Sequence, residues 1–409
     1  MQPGADSSAG TSASLTPRRS QVRALLRPRF LAGLLLLASL AAAGQLVFFV
    51  GDARADTAAG HAVGWFAARE DLEPNLRAAT ALLHGQSSYP WYGDSVILGY
   101  APQYTAMLVP PAALPLNIAE IVTRLLALVL MVAVVFAWAR GPDGEVPPWA
   151  LVFLISLPVV SLLRLDQMMS VAGLAALTVA IWAQRRDRWF VVGLALAVGM
   201  SRTTNALPIV VMVAISGWGR PAQLLRAVAG IAVVLAPLTV VAYVWDPNWV
   251  ADYVHNLSVY NLVGPVKLAR ALMGFSGPLL LEAVVCALAG LLAWRDRGRP
   301  LDLDRVVLAL SLGVLSTIIS TYYVAIYALP ALIRLARRPG FGRLPWVATA
   351  APWVVILVSA PAILSSQPIF PVGLLTAMVL VMVAAAYPLL RPPRPVPAPA
   401  ASKIAVVPR

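Results

Sequence analysis

The feature that most constrains this chain is a series of apolar runs, many close to twenty residues long, separated by short arginine clusters. These runs are rich in Leu, Ala and Val, which is typical of helices that cross a bilayer. Only 12% of the 409 residues are charged, about half the fraction of a soluble domain. We therefore expect an all-α polytopic membrane protein with about 11–13 transmembrane helices, some of them short.

The formal charge of +13 does not favour nucleic-acid binding, because the bases lie in clusters between apolar runs, as in cytoplasmic loops. Partners are therefore expected in the lipid bilayer, and no nucleic acid is expected. The clusters expected to be cytoplasmic are Arg140, Arg185–Arg188, Arg220–Arg226, Arg295–Arg305, Arg334–Arg343 and Arg391 with Arg394.

Both ends of the chain have biased composition. Residues 1–28 are rich in Ser, Ala and Thr, which predicts a disordered cytoplasmic tail, and residues 391–409 predict a Pro-rich cytoplasmic tail. Residues 29–390 form the predicted transmembrane domain. A cleaved signal peptide is the rival interpretation of residues 30–50, but the run carries no compact cleavage signature. We therefore expect a retained first span and a cytoplasmic N-terminus.

Residues 51–118 then form the first external loop, which holds six of the 18 carboxylates. Asp71 precedes a short amphipathic helix that has Pro74 in its first turn, closes at Gly85 and is expected to lie on the membrane surface. Asp71 is either the N-cap of this helix or a general base that deprotonates an acceptor hydroxyl. The nearby acids are interpreted as solvated alternatives: Asp52, Asp56, Glu70 and Glu73.

External aromatic residues allow two interpretations, an interfacial belt or a platform for sugars. They are Tyr89, Trp91, Tyr92, Tyr100 and Tyr104. Residues 103–116 carry three prolines and are expected to be partly embedded. Asp246 opens a second external loop, which contains His255 and is expected to form an interfacial helix.

The basic clusters require the chain to cross the membrane twice within each of three segments, and each segment is too short for two full spans. These lie between Arg140 and Arg185, between Arg188 and Arg220, and between Arg305 and Arg334. Each half holds about 12–15 apolar residues, fewer than the ~20 of a span. We predict half-length hairpins whose polar turns line an internal cavity; a single tilted span is the alternative for the middle segment.

The predicted turns supply the remaining candidate residues. Arg202 is expected to clamp a lipid-linked phosphate, or else to form a structural ion pair. Asp166 and Gln167 are expected to bind sugar hydroxyls, although an ion pair of Asp166 with an arginine is equally open. Further candidate substrate contacts are Tyr89, Tyr100, Asn205, His255, Tyr322 and Tyr323, the last two of which also fit simple packing.

The chain contains no phosphate-binding glycine loop, zinc signature or nucleophile elbow. It has one cysteine and three histidines, so we expect neither a metal site nor a cofactor. An activated substrate would have to come from the lipid phase or from outside.

The order of these motifs resembles glycosyltransferase family 87, a family of bacterial integral-membrane enzymes of the GT-C superfamily. The matching stretches are Asp71-Leu72, Leu82 to Gly85, Tyr100-Ala101-Pro102 and Pro110 to Pro115. Asp166-Gln167 keeps only the Gln of a Gly-Gln-x-Asn motif, and Arg202 replaces a Lys. Tyr322-Tyr323 stands where the family has His or Asp.

The resemblance implies a GT-C-like bundle and an inverting transfer. A sugar, mannose or another hexose, would pass from a polyprenyl-phosphate donor to a lipid or glycan acceptor outside the cytoplasmic membrane. Asp71 would be the base and Arg202 would hold the donor phosphate. The alternatives are a transporter or flippase for a lipid-linked or anionic substrate, which the lack of internal repeats disfavours, and a non-catalytic scaffold.

Overall fold

The computed structural model describes residues 72–86, 101–141, 144–156, 159, 168–259, 264–274, 276–314, 316 and 325–337, and this part of the chain is helical without strands. The predicted helical class is therefore confirmed for these residues. Both termini, the first predicted span and residues 338–390 of the predicted transmembrane domain lie outside them.

The first helices are α1 (Leu72–Leu83), α2 (Pro102–Thr105), α3 (Val109–Ala112), α4 (Leu116–Ala139) and α5 (Met168–Arg185). Next come α6 (Trp189–Gly199), α7 (Thr203–Ser216), α8 (Pro221–Trp245) and α9 (Trp249–Val259). The last are α10 (Gly264–Met273), α11 (Ser276–Trp294), α12 (Leu303–Gly313) and α13 (Leu329–Ala336). Short 3₁₀ segments cover Ala106–Leu108, Pro148–Ile155, Met200–Arg202 and Ala325–Ala328.

Four stretches within the described residues are long and apolar enough to cross a membrane: Ile121–Ala139, Met168–Arg185, Pro221–Trp245 and Ser276–Trp294. On the outer face of α4, large apolar side chains recur every four residues. Ile121, Leu125 and Val129 are 58%, 59% and 63% exposed. A stripe of large apolar side chains at this spacing lies on one side of a helix.

The arginine clusters meet at one end of the bundle, called here the basic end. The Gln184 side chain bonds Ser216 Oγ at 3.1 Å, the Arg299 carbonyl at 3.2 Å and the Leu301 amide at 3.0 Å. Arg305 pairs with Asp296 at 2.6 Å. Because Gln184 is buried, these bonds fix the ends of α5, α7 and α11 beside the start of α12.

The helices α6 and α7 form the half-length hairpin predicted from the sequence. A Cβ at Gly217, just after α7, would lie 3.0 Å from the Trp189 ring at the start of α6. Both helices therefore have their outer ends at the basic end, and the chain reverses at Met200–Arg202. The 11 residues of α6 span about 16 Å, roughly half of a ~30 Å bilayer core.

A second half-length pair has the same arrangement. Helix α12 starts at the basic end, where Asp302 caps it by accepting bonds from the amides of Asp304 and Arg305. Its 11 residues also rise about 16 Å. Arg334 in α13 returns to pair with Asp304 at 3.0 Å, so the chain enters and leaves this segment at one end.

The amphipathic helix predicted after Asp71 is present as α1, and it closes near Gly85, whose φ of +66° suits glycine. Its apolar face, with Leu72, Leu76 and Ala79, is buried, because α1 packs against α3 and the Ala106–Leu108 turn. Residues 102–112 form short helical turns rather than a span, as expected from their prolines.

Candidate functional site

A layer of small and polar residues crosses the bundle where α6 ends. A Cβ added at Gly173 would lie 2.5 Å from Tyr327 Oη and 3.6 Å from Ser201 Oγ. The buried Tyr327 hydroxyl donates to the Ser170 carbonyl at 3.3 Å. Ser201 Oγ is buried without a hydrogen-bond partner among the described residues. We call Ser170, Gly173, Ser201 and Tyr327 the polar layer.

At the same level of the bundle, a series of polar contacts links α7, α12 and α11. Asn205 Nδ2 donates to the Gly313 carbonyl at 3.1 Å, and Ser316 Oγ donates to the same carbonyl at 3.2 Å. The Ser316 hydroxyl also lies beside the Glu282 carboxyl. Glu282 Oε1 is 3.5 Å from the Cys286 thiol. The series places one carboxyl at the depth of the α6–α7 turn.

The backbone at this depth is irregular. The turn between α6 and α7 is 3₁₀, and Pro208 within α7 has no N–H to donate to the carbonyl four residues earlier. The carbonyl that would accept this bond therefore lacks its usual partner within the helix.

An apolar cluster covers the polar layer on the side away from the basic end. Its members include Leu72, Tyr104, Met169 and Met200. Leu72 follows Asp71, Met169 follows Gln167 by two residues, and Met200 precedes Arg202 by two. The cluster therefore brings together the chain neighbours of three predicted site residues, although the Asp71, Gln167 and Arg202 side chains lie outside the described structure.

A second polar group lies beside this apolar cluster and is called here the rim group: Gln103, Thr105, Asp246 and Trp249. In the described part of the chain, Gln103 Oε1, Thr105 Oγ1, Asp246 Oδ2 and Trp249 Nε1 are buried without hydrogen-bond partners. Asp246 is 5% exposed and Thr105 is 1% exposed. Each such atom left dry costs about 1–3 kcal/mol, so each is a candidate partner for a bound water.

Two tyrosines are neighbours of these residues along the chain: Tyr104 belongs to the apolar cluster, and Tyr253 lies one turn after Trp249 in α9. Burial, and to a smaller degree the neighbouring Tyr253 phenol, raises the pKa of Tyr104 well above its usual range. Burial also raises the pKa of Tyr253. Both phenols are therefore neutral at physiological pH, and they offer hydroxyl groups and aromatic faces.

The predicted site residues have three outcomes. Asn205 is described and buried, with its amide bonded to Gly313, and His255 is exposed on α9. The backbone of Arg202 ends the 3₁₀ turn, and its side chain is outside the described structure. The remaining candidates, which also lie outside, are Asp71, Tyr89, Tyr100, Asp166, Gln167, Tyr322 and Tyr323.

Sequence reasoning overlooked Glu282 and the rim group. Glu282 is the lone carboxylate in the apolar run 276–294, and an acidic residue inside such a run is itself a signal of function. Asp246 drew notice only as the start of a loop, because its burial depends on packing against distant helices.

Comparison of the chain with protein-family models, with curated proteins and with solved structures found no match.

Proposed function

We propose that the chain is a polytopic membrane protein that transfers a hexose, with mannose favoured, from a polyprenyl-phosphate donor to a lipid or glycan acceptor. The reaction would take place at the outer face of a bacterial cytoplasmic membrane. The transmembrane part of the proposal is supported by the exposed apolar stripe of α4 and by similar exposure along α8, where Leu225, Val228 and Val244 are 67%, 59% and 69% exposed. Such continuous apolar surface is unusual on a soluble protein.

The observation that carries the proposed chemistry is the apolar cluster of Leu72, Met169 and Met200. It gathers the segments that hold Asp71, Gln167 and Arg202 next to a half-depth polar turn. A base and a phosphate clamp can serve one transfer only if both reach the same sugar. In the proposed step, Asp71 takes the acceptor hydroxyl proton, and the acceptor oxygen forms a bond to the anomeric carbon. The bond from that carbon to the phosphate oxygen breaks on the opposite face, and the polyprenyl phosphate leaves toward Arg202.

The test is transfer of labelled mannose from polyprenyl-phosphate mannose in membranes that contain the full chain. Asp71→Asn should abolish transfer because the amide cannot accept the proton. Glu73→Gln is the matched control, since it removes a charge two residues away. Full activity of Asp71→Asn would overturn the role of Asp71, and absence of transfer by the unaltered chain would overturn the proposed reaction.

Transport is the second candidate function, and one observation favours it. Glu282 places a carboxyl within the apolar helix α11, beside the Cys286 thiol, and carboxyls at such positions often mark substrate or proton pathways. A transporter would move its lipid-linked or anionic substrate across vesicles without covalent change. Recovery of an unmodified substrate on the opposite side would favour it over glycosyl transfer.

A further inference from the structure

We propose that the basic end carries a binding site for an anionic phospholipid, formed by Trp218, Trp294 and the arginines of the loop that follows α11. In this site the lipid phosphate faces the arginines, the headgroup meets the two indole rings, and an acyl chain follows the outer face of α11. None of these side chains takes part in the proposed sugar transfer, so the site is independent of that reaction.

Two exposed tryptophans meet at the basic end. The ring centres of Trp218, which follows α7, and Trp294, which ends α11, are 6.3 Å apart. Their side chains are 64% and 48% exposed. Indole rings are enriched at the level of lipid headgroups, because they combine an apolar face with a polar N–H. The pair therefore marks the level at which the basic end reaches the membrane interface.

Hydrogen bonds hold the loop after α11 against the turn that follows α7. The Gly298 amide donates to the Ser216 carbonyl at 2.9 Å, and the Arg220 guanidinium donates to the Gly298 carbonyl. The Arg297 guanidinium lies 5.1 Å from the centre of the Trp294 ring, which is within range of a cation–π interaction. Because backbone groups join the loop to the turn, the arginine and the tryptophan pair occupy one fixed surface.

The loop at residues 295–299 carries positive charge that is not paired. Arg295, Arg297 and Arg299 are exposed and form no ion pair within the described part of the chain. The carboxylate of this loop, Asp296, is buried and pairs with Arg305 at 2.6 Å. Arginine binds phosphate through a planar set of donors, and basic clusters next to a membrane span attract anionic lipids. The loop therefore favours an anionic headgroup over a zwitterionic one.

An apolar stripe leads from the tryptophan pair along the outer face of α11. Its members recur every three or four residues and are all exposed: Leu280, Val284, Leu288, Leu291 and Trp294. This spacing places them on one side of the helix. From Leu280 to Trp294 the helix rises about 21 Å, more than the ~15 Å of one leaflet of a bilayer core. A lipid with its phosphate at the loop therefore finds apolar protein surface along a whole acyl chain.

A second copy of the chain is the main alternative occupant of this surface. Two copies that met through it would bring two arginine loops together, and like charges that face each other at an interface repel. Free phosphate offers the same anionic group as the lipid, but it has no apolar part to cover the stripe on α11. The charge and the stripe together therefore favour an anionic lipid.

Native mass spectrometry of the full chain in a neutral detergent measures the binding. The chain is titrated with phosphatidylglycerol, with phosphatidylcholine as a zwitterionic lipid of equal chain length, and with inorganic phosphate as the free anion. Arg297→Gln removes one charge from the site, and Trp218→Ala removes one ring of the pair. Arg140→Gln is the matched control, because Arg140 is an exposed arginine at the end of α4, which packs chiefly against α5 and α13.

We expect phosphatidylglycerol to bind more tightly than phosphatidylcholine. Arg297→Gln should weaken the binding of phosphatidylglycerol about fivefold, which is the effect of one arginine near an anionic lipid surface. Trp218→Ala should also weaken it, while Arg140→Gln leaves it unchanged. Thermal unfolding of each variant identifies any that is misfolded, and the other site variant then decides.

Several results would overturn the site. These are equal affinity for the two lipids, full affinity for phosphatidylglycerol in the folded site variants, and a loss in Arg140→Gln as large as that in Arg297→Gln. Displacement of the lipid by an equal concentration of inorganic phosphate would also overturn it, since the site would then be one for a free anion. A dimer that depends on Trp218 and excludes lipid would assign the surface to a second copy of the chain instead.

Discussion

Gly173→Ala should disrupt the polar layer, and the size of the effect follows from one contact. The new methyl group would lie 2.5 Å from Tyr327 Oη, ~1 Å closer than ordinary van der Waals contact. The Tyr327 side chain is fully buried and cannot turn toward solvent. It must move away from the Ser170 carbonyl, its hydrogen-bond acceptor at 3.3 Å.

Three terms set the expected change in the free energy of unfolding. An unpaired buried hydroxyl costs about 1–3 kcal/mol, and an extra carbon in a packed core costs a further 1–3 kcal/mol, roughly. Alanine in place of glycine within α5 recovers about 1 kcal/mol through helix propensity. The net loss is therefore about 3 kcal/mol.

Equilibrium unfolding in mixed detergent micelles measures this loss, and Tyr327→Phe provides a rescue. Phenylalanine lacks the oxygen that meets the new methyl group, so the double variant should be about as stable as Tyr327→Phe alone, with a coupling energy of about 3 kcal/mol. Gly290→Ala is the matched control, since its Cβ would meet only the side-chain ends of Ile215 and Val211 at 3.2 and 3.4 Å. Wild-type stability of Gly173→Ala, or failure of the rescue, would refute the packing described for the polar layer.

Two further predictions concern the basic end and the tyrosines. Gln184→Leu should lower the free energy of unfolding by about 3 kcal/mol, because it removes three hydrogen bonds and leaves the Leu301 amide unpaired. Gln223→Leu is the control: it loses only exposed hydrogen bonds of 3.4 Å, so its free energy of unfolding should be close to that of the unaltered chain. The raised pKa of Tyr104 means that, above pH ~10, the unfolded phenol ionises while the folded one keeps its proton. Stability should therefore be full below this pH and fall above it, and Tyr104→Phe should reduce the fall measured by unfolding across pH; an identical slope would contradict the burial of Tyr104.

The helical hairpins could be predicted because two local signals agree. Basic clusters on both sides of the 189–216 segment fix its ends on one side, and its apolar length is too short for two spans. The structure confirms the reversal through the proximity of Gly217 to Trp189. By contrast, the burial of α1 depends on α3, and no pattern within residues 72–83 distinguishes a protein surface from a lipid surface.

The candidate site was predictable only in part, for a related reason. Composition identifies polar residues in unusual places, such as Arg202 and Asn205, but it cannot show which hydrogen bonds they make. Asn205 donates to Gly313, a residue 108 positions away. The four rim atoms likewise come from segments separated by more than a hundred residues, so their shared lack of partners emerges only in the folded chain.

Glu282 allows the two candidate functions to be separated by one substitution. It stands twelve residues before Trp294 in α11, about 18 Å from the basic end and therefore at the depth of the α6–α7 turn. If the chain is a glycosyltransferase, the carboxyl serves packing through Ser316 and Cys286. Glutamine can make hydrogen bonds to both, so Glu282→Gln should keep full sugar transfer and normal unfolding.

If Glu282 instead carries protons or substrate charge across the bilayer, Glu282→Gln should stop vectorial movement in vesicles while the protein stays folded, because an amide cannot exchange charge. Glu282→Lys should misfold in either case, since it buries a cation beside an apolar helix. A folded Glu282→Gln protein that has lost sugar transfer would contradict a packing role and assign the carboxyl to the reaction itself.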